Sequence, residues 1–309
     1  MKRFAARHNG FTVLEILVAT AVLAILLVLI LQVTSQTSQT LRQVTGQVDA
    51  FQSARAAFDD INRTLSQATL NTYWDYQNDS SGNPTAYKRA SDLHFVVKPA
   101  GDSEAGLYFQ APLAISSNST TEVSGLLNAV GYWVEFGPDN WKPDGLGENR
   151  SRFRLMQAVQ NSEDLDTMRT TNDSWVADVR GQGRPLANNV IALVALPKWS
   201  AAEDSTGTDL NPLSPNFSYD SRNGTLEQLA QLPPQVQVTM IAIDERDAVR
   251  LGANLENKIN TALKDKFVLA SSFDDDLNDV RNKLAEDNIS NQVFSTSVPL
   301  RESKWSKTR

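Results

Sequence analysis

Glu15 is a carboxylate in a place where carboxylates are costly. It closes the string Gly10-Phe11-Thr12-Val13-Leu14-Glu15 and precedes Ile16–Leu31, a run in which only Thr20 is not apolar. A charged acid at the centre of a membrane helix costs roughly 2.5–3.5 kcal/mol on insertion scales, and its default reading is functional. One turn into the run the cost is smaller, and the helix dipole favours an anion at that end. A cation partner would favour it more. Cleavage after Gly10 would create one, because Phe11 would then carry a new α-amino group at the same helix end. That amine, on this chain or a neighbouring one, could pair with Glu15. The chemistry these residues could do is an ion pair, made with a new amine if the chain were cut after Gly10.

Other reactive side chains are scarce. There is no cysteine, which excludes disulfides, thiol redox chemistry and cysteine metal sites. The two histidines are His8, which would leave with a leader, and His94. A Ser-His-Asp hydrolase would have to use His94, and a histidine-rich metal site is impossible. Asp92-Leu93-His94-Phe95-Val96-Val97 alternates like a strand, which makes His94 a half-exposed strand residue on the face of Asp92. Asp274-x-Asp276-x-Asn278 begins like a calcium loop, but Asp279 and Ala285 stand where that loop needs Gly and Glu. These acids read instead as the first turn of a helix. Asp139, Asn140, Asp144, Glu148 and Asn149 supply oxygens enough for a calcium ion without diagnostic spacing. Phosphate-loop, dinucleotide and zinc motifs are missing, so no metal and no cofactor is expected. A net charge of −7 disfavours a nucleic-acid partner.

The elements that must position Glu15 follow from hydropathy. Residues 1–10 form a basic leader with Lys2, Arg3 and Arg7, whose charge should remain cytoplasmic. Residues 11–33 are an apolar helix of 23 residues, about 35 Å long, enough for a hydrocarbon core of ~30 Å. Residues 34–72 continue it as an amphipathic helix. Leu41, Val44, Val48, Phe51, Ala54, Phe58, Ile61, Leu65 and Ala68 recur at steps of three and four. With no proline before Pro84, one helix is predicted from about Phe11 to Leu70. Asp59 and Asp60 then lie on a solvated face.

Residues 73–309 read as a globular head. Tyr73–Lys88 has the composition of a loop. Strands are predicted at Leu93–Val97, Leu107–Gln110, Tyr132–Phe136, Arg152–Gln157, Val190–Leu196, Gln235–Ile243 and Gln292–Pro299. Val190–Leu196, nearly all apolar, reads as a central strand. Helices are predicted at Asn254–Ala270 and Phe273–Asp287, the second with Ser272 as N-cap. The fold class is α+β: a long N-terminal helix on an antiparallel sheet, with additional C-terminal helices.

The junction resembles the prepilin signal of type IV pilins and type II secretion pseudopilins: a short basic leader, Gly-Phe-Thr-x-x-Glu, then about twenty apolar residues. The resemblance implies a pilin-like fold, cleavage between Gly10 and Phe11 by a prepilin peptidase, and N-methylation of Phe11. It implies that Glu15 neutralises the Phe11 amine of the adjacent subunit during assembly. Asp59-Asp60 and Leu232-Pro233-Pro234-x-Val236-x-Val238 resemble features of J-type minor pseudopilins. The ending, from Asn288-Ile289 through Val298-Pro299-Leu300-Arg301-Glu302-Ser303-Lys304-Trp305-Ser306, is similar to cassette protein C of the Verru_Chthon group, as is Ile243-Asp244-Glu245-Arg246-Asp247-Ala248. The implied partners are prepilin peptidase, other pilin-like subunits and inner-membrane lipid. The implied place is the inner membrane, single-pass, with the head in the periplasm. A head this large favours a minor structural subunit over a repeating one, and not an enzyme. The competing reading is a membrane-anchored extracytoplasmic binding or enzymatic domain that uses a prepilin-type anchor.

Overall fold

A computed structural model describes residues 13–116, 126–138, 150–163, 174–200, 212–222 and 228–304, without the side chains of residues 38–50. By contact the chain divides into two units, residues 1–49 and 50–309. Helix α1, Val13–Leu65, contributes to both.

In the first unit, every residue from Val13 to Thr37 is exposed. This stretch of 25 residues is long and apolar enough to cross a membrane. Its threonine hydroxyls turn back on the helix. Thr20 donates to the Leu17 carbonyl, Thr34 to Ile30 and Thr37 to Val33. Internal satisfaction of polar groups is what an apolar solvent demands.

In the second unit the apolar stripe of α1 becomes core. Ala54, Ala57, Phe58, Ile61 and Leu65 are buried, as is Ala68 just beyond the helix. The helix stops at Leu65 rather than Leu70. Ser66, Gln67 and Ala68 close a turn, and the Thr69 N–H is taken by the Gln110 carbonyl. The chain thus leaves the helix to bond along a strand.

The fold is α+β with antiparallel sheets. The larger sheet has the order β7-β6-β5-β4-β3-β9. Its strands are β3 (Val96–Lys98), β4 (Gly106–Ala111), β5 (Asn128–Gly137), β6 (Arg152–Gln160), β7 (Arg184–Asn188) and β9 (Tyr219–Asp220). The smaller sheet has the order β11-β10-β8, built from β8 (Val190–Lys198), β10 (Gln235–Ile243) and β11 (Asn291–Pro299). Alternation in β10 explains its two faces. Val236, Val238, Met240 and Ala242 join the α1 stripe and the inner face of the large sheet in one core. Ile241 and Ile243 face a second core with α3 (Glu245–Leu251), α4 (Leu255–Leu263) and α5 (Phe273–Glu286). On the outer face of the large sheet, Trp175, Val176 and Val179 of α2 (Ser174–Gly181) cover Tyr108, Trp133 and Met156.

Several expectations are corrected. Val190–Leu196 is buried as expected but forms an edge strand, with β10 in the centre. Its apolar character comes from two cores, one on each face, not from a partner on each side. Tyr73–Lys88 is not a loop. It holds a two-stranded ribbon, β1 (Tyr73–Asn78) and β2 (Pro84–Ala90), closed by Asp79, whose carboxylate accepts from the N–H groups of Ser81 and Asn83. The helix expected at Asn254–Ala270 ends at Leu263. Asp265 and Phe267 then take positive φ, and Phe267 still reaches the core. Ser272 makes no side-chain cap at α5. Its N-terminal turn is occupied by a 3-10 segment, Ala270–Ser272. By contrast Asp244 caps α3, accepting from the Arg246 N–H at 2.8 Å.

Candidate functional site

Glu15 lies in the first turn of α1 and is exposed, at the mouth of the Val13–Thr37 stretch. An anion there complements the positive end of the helix dipole. Some 22 further residues separate it from Thr37, about 33 Å of helix. Gly10 and Phe11, the expected cleavage and methylation positions, lie outside the described residues.

The structure separates the acidic pair on α1. Asp59 is exposed. Asp60 is not simply solvated, because it faces the large sheet. Its Oδ1 accepts from Arg63 at 2.8 Å and its Oδ2 from Gln157 Nε2 at 3.1 Å. The Tyr132 hydroxyl, 3.5 Å away, completes the group, and Gln157 also donates to that hydroxyl at 2.9 Å. Burial pushes the Tyr132 phenol up to about 12, so it remains a neutral donor at any ordinary pH. The cluster ties the end of α1 to β5 and β6.

His94 departs from its expected place. It precedes β3 and is buried. Its N–H donates to Gln110 Oε1 at 2.7 Å, and its ring lies 6.0 Å from that of Trp175. Nε2 is buried without a hydrogen-bond partner. Burial, then the Arg222 charge, lowers its pKa. An imidazole whose Nε2 is buried and whose pKa is lowered is a poor general base. The strand expected from Leu93 begins only at Val96, because the segment before it is held by Asn71: the Asn71 carboxamide oxygen accepts from the Ser91 hydroxyl and the Asp92 and Leu93 N–H groups.

The calcium candidates fare separately. Asp274, Asp275 and Asp276 all belong to the first turn of α5, as expected, and Asp276 is also buried and does further work. Its Oδ2 accepts from the Phe267 N–H at 2.9 Å, and Lys266 Nζ stands 3.5 Å from Oδ1. It stabilises the positive-φ turn after α4. Asp139, Asn140, Asp144, Glu148 and Asn149 lie outside the described residues. Among the described residues, no group of three His, Cys, Asp or Glu could hold a metal ion.

One polar cluster was not legible beforehand. Asn189, the left-handed residue between β7 and β8, donates to Glu245 at the start of α3. Arg152 Nη1 stands 3.4 Å from the same carboxylate. They border a cleft of about 600 Å3 with Arg150 and Glu256. Charges of both signs line it, so it selects neither anion nor cation strongly. The pair Asn188-Asn189 ahead of the apolar run Val190–Leu196 was the available signal.

Compared with known proteins, the chain matches no family model, no curated protein and no solved structure.

Proposed function

We propose that this chain is a prepilin-like structural subunit, a minor pilin or pseudopilin. It is held in the inner membrane by α1 with its head in the periplasm. Prepilin peptidase cuts it between Gly10 and Phe11, and it enters or primes a pilus-like filament. The observation that carries this reading is the placement of Glu15. It occupies the first turn of a helix whose next 22 residues are all exposed, the first 16 of them, Ile16–Leu31, apolar except for Thr20. A plain anchor accounts for the apolar length but not for the carboxylate. The string Gly10-Phe11-Thr12-x-x-Glu15 accounts for both.

The mechanism has three parts. The basic leader holds the N-terminus in the cytoplasm. Cleavage removes Lys2, Arg3 and Arg7, taking the net charge from −7 to −10, and leaves an ammonium at Phe11. Glu15 then receives the Phe11 amine of the adjacent subunit, which sets axial register while the Val13–Thr37 faces pack together. In a low-dielectric helix bundle that attraction is much stronger than in water. The test is fractionation of cells that make the chain with its peptidase and neighbouring prepilin-like subunits. The chain is expected in the sheared filament fraction as well as the inner membrane. Recovery in membranes alone, with filaments intact and free of it, contradicts a filament subunit.

A further inference from the structure

Burial in the head does not account for the large side chains that the ribbon β1–β2 carries. A two-stranded ribbon is at best marginally stable alone, and all six residues of β1 are exposed. Yet Trp74, Tyr76 and Tyr87 are 58%, 54% and 61% exposed. The register places Trp74 opposite Arg89 and Tyr76 opposite Tyr87. Cross-strand partners share a face, as do residues two apart along a strand. One face therefore presents two successive rungs, Trp74–Arg89 and Tyr76–Tyr87, about 7 Å apart. The tyrosine rings of the second rung are 5.1 Å centre to centre.

The first rung opens into a cavity. Trp74 and Arg89 line a cleft of about 590 Å3 together with Tyr73, Gln231, Glu302 and Lys304. That volume suits a small ligand or one unit of a chain. Tyr73 is fixed by its hydroxyl, which donates to Asp92 at 3.2 Å. The cleft thus offers an aromatic wall and a rim that can both donate and accept, continued outward by an aromatic track.

We propose that this cleft and ribbon bind a neutral polysaccharide. A sugar ring has apolar C–H faces, which lie on indole and phenol rings. Its hydroxyl rim can accept hydrogen bonds from Arg89 and Lys304 and donate to the Glu302 carboxylate. Successive rungs suit a linear chain of such rings. Charge argues against a nucleic acid: the chain carries −7 overall, and Glu302 stands in the cleft itself. Area argues against a second copy of this chain. Four partly exposed aromatic side chains offer roughly 400 Å2, well below the ~800 Å2 per partner of a stable protein interface. The proposal stands independently of the prepilin reading, since it rests on the second unit alone.

The experiment uses the full chain in a detergent without a sugar headgroup. It is mixed with suspensions of cellulose, chitin and insoluble starch, and separately with an oligothymidylate. Sedimentation with at least one polysaccharide is expected. Trp74→Ala and the double variant Tyr76→Ala/Tyr87→Ala should each weaken it at least tenfold, and Trp74→Tyr should restore part of the loss. Because these side chains are exposed, thermal melting should not move. No retention on any polysaccharide overturns the proposal. So does retention indifferent to all three variants, or tighter binding to the oligothymidylate.

Discussion

At the scale of single residues, Glu15 and His94 show opposite uses of burial. Glu15 stands exposed at the end of an apolar helix, and the proposed pairing with a neighbour's Phe11 amine gives its charge a purpose. Glu15→Val should leave leader removal intact and lower recovery of the chain in sheared filaments at least tenfold by immunoblot. Recovery at the wild-type level would contradict the pairing with Phe11. His94 is a titratable ring closed into a core, and its folded pKa lies below the ordinary 6.5. The unfolded chain therefore binds the proton first as pH falls. Stability from the neutral ring is complete above about pH 6.5 and is lost as pH falls through the depressed folded value. Urea midpoints measured from pH 7.5 to 5 should fall less steeply for His94→Leu than for wild type, by up to ~1.4 kcal/mol per pH unit. Equal slopes would mean that His94 does not titrate on unfolding. The scarcity of histidine was legible in the sequence; its burial was not, because the side chain of Asn71, far from it in sequence, decides where the strand begins.

At the scale of elements, apolar spacing located core residues more faithfully than it located element ends. Leu255, Ile259, Leu263 and Phe267 recur at steps of four, and three of them are buried or nearly so within α4 or just beyond it. The helix nevertheless ends at Leu263, and Phe267 reaches the core through a positive-φ turn that Asp276 holds. Asp276→Ala leaves the buried Phe267 N–H without an acceptor and should cost about 1–3 kcal/mol. Asp276→Asn keeps the acceptor and should cost less; equal losses in urea unfolding would remove this role. The stripe on α1 behaved more simply, since Ile61 is fully buried between the sheets. Ile61→Ala should lower stability by about 2–5 kcal/mol, read from the urea midpoint, and a loss below 1 kcal/mol would mean α1 is not core. The β1–β2 ribbon escaped the sequence for a physical reason. Neither of its faces is buried against the head, so no apolar alternation marks it, while its turn, Asp79-Ser80-Ser81-Gly82-Asn83, has the composition of a loop.

At the scale of the whole molecule, the two units answer to different solvents. Val13–Thr37 turns apolar side chains outward and its threonine hydroxyls back on the helix, whereas the described residues beyond 50 bury three apolar cores and few charges, among them Arg154, Lys198, Asp244 and Asp276. The apolar stretch was legible from hydropathy alone, because it depends on composition over tens of residues, whereas the division at residues 49 and 50 falls inside the amphipathic segment expected at 34–72. The pairing of strands into two sheets was not legible, because it depends on contacts distant in sequence. The prepilin account joins the units through one event at their N-terminal end, the cut that would make an amine at Phe11. That cut is measured most directly by intact mass. The full chain, produced with a prepilin peptidase, should lose Met1–Gly10, begin at Phe11 and carry one methyl group there, and Gly10→Ala should abolish the loss. A chain that keeps Met1–Gly10 beside an active peptidase, or a Gly10→Ala variant that still loses them, would contradict the account.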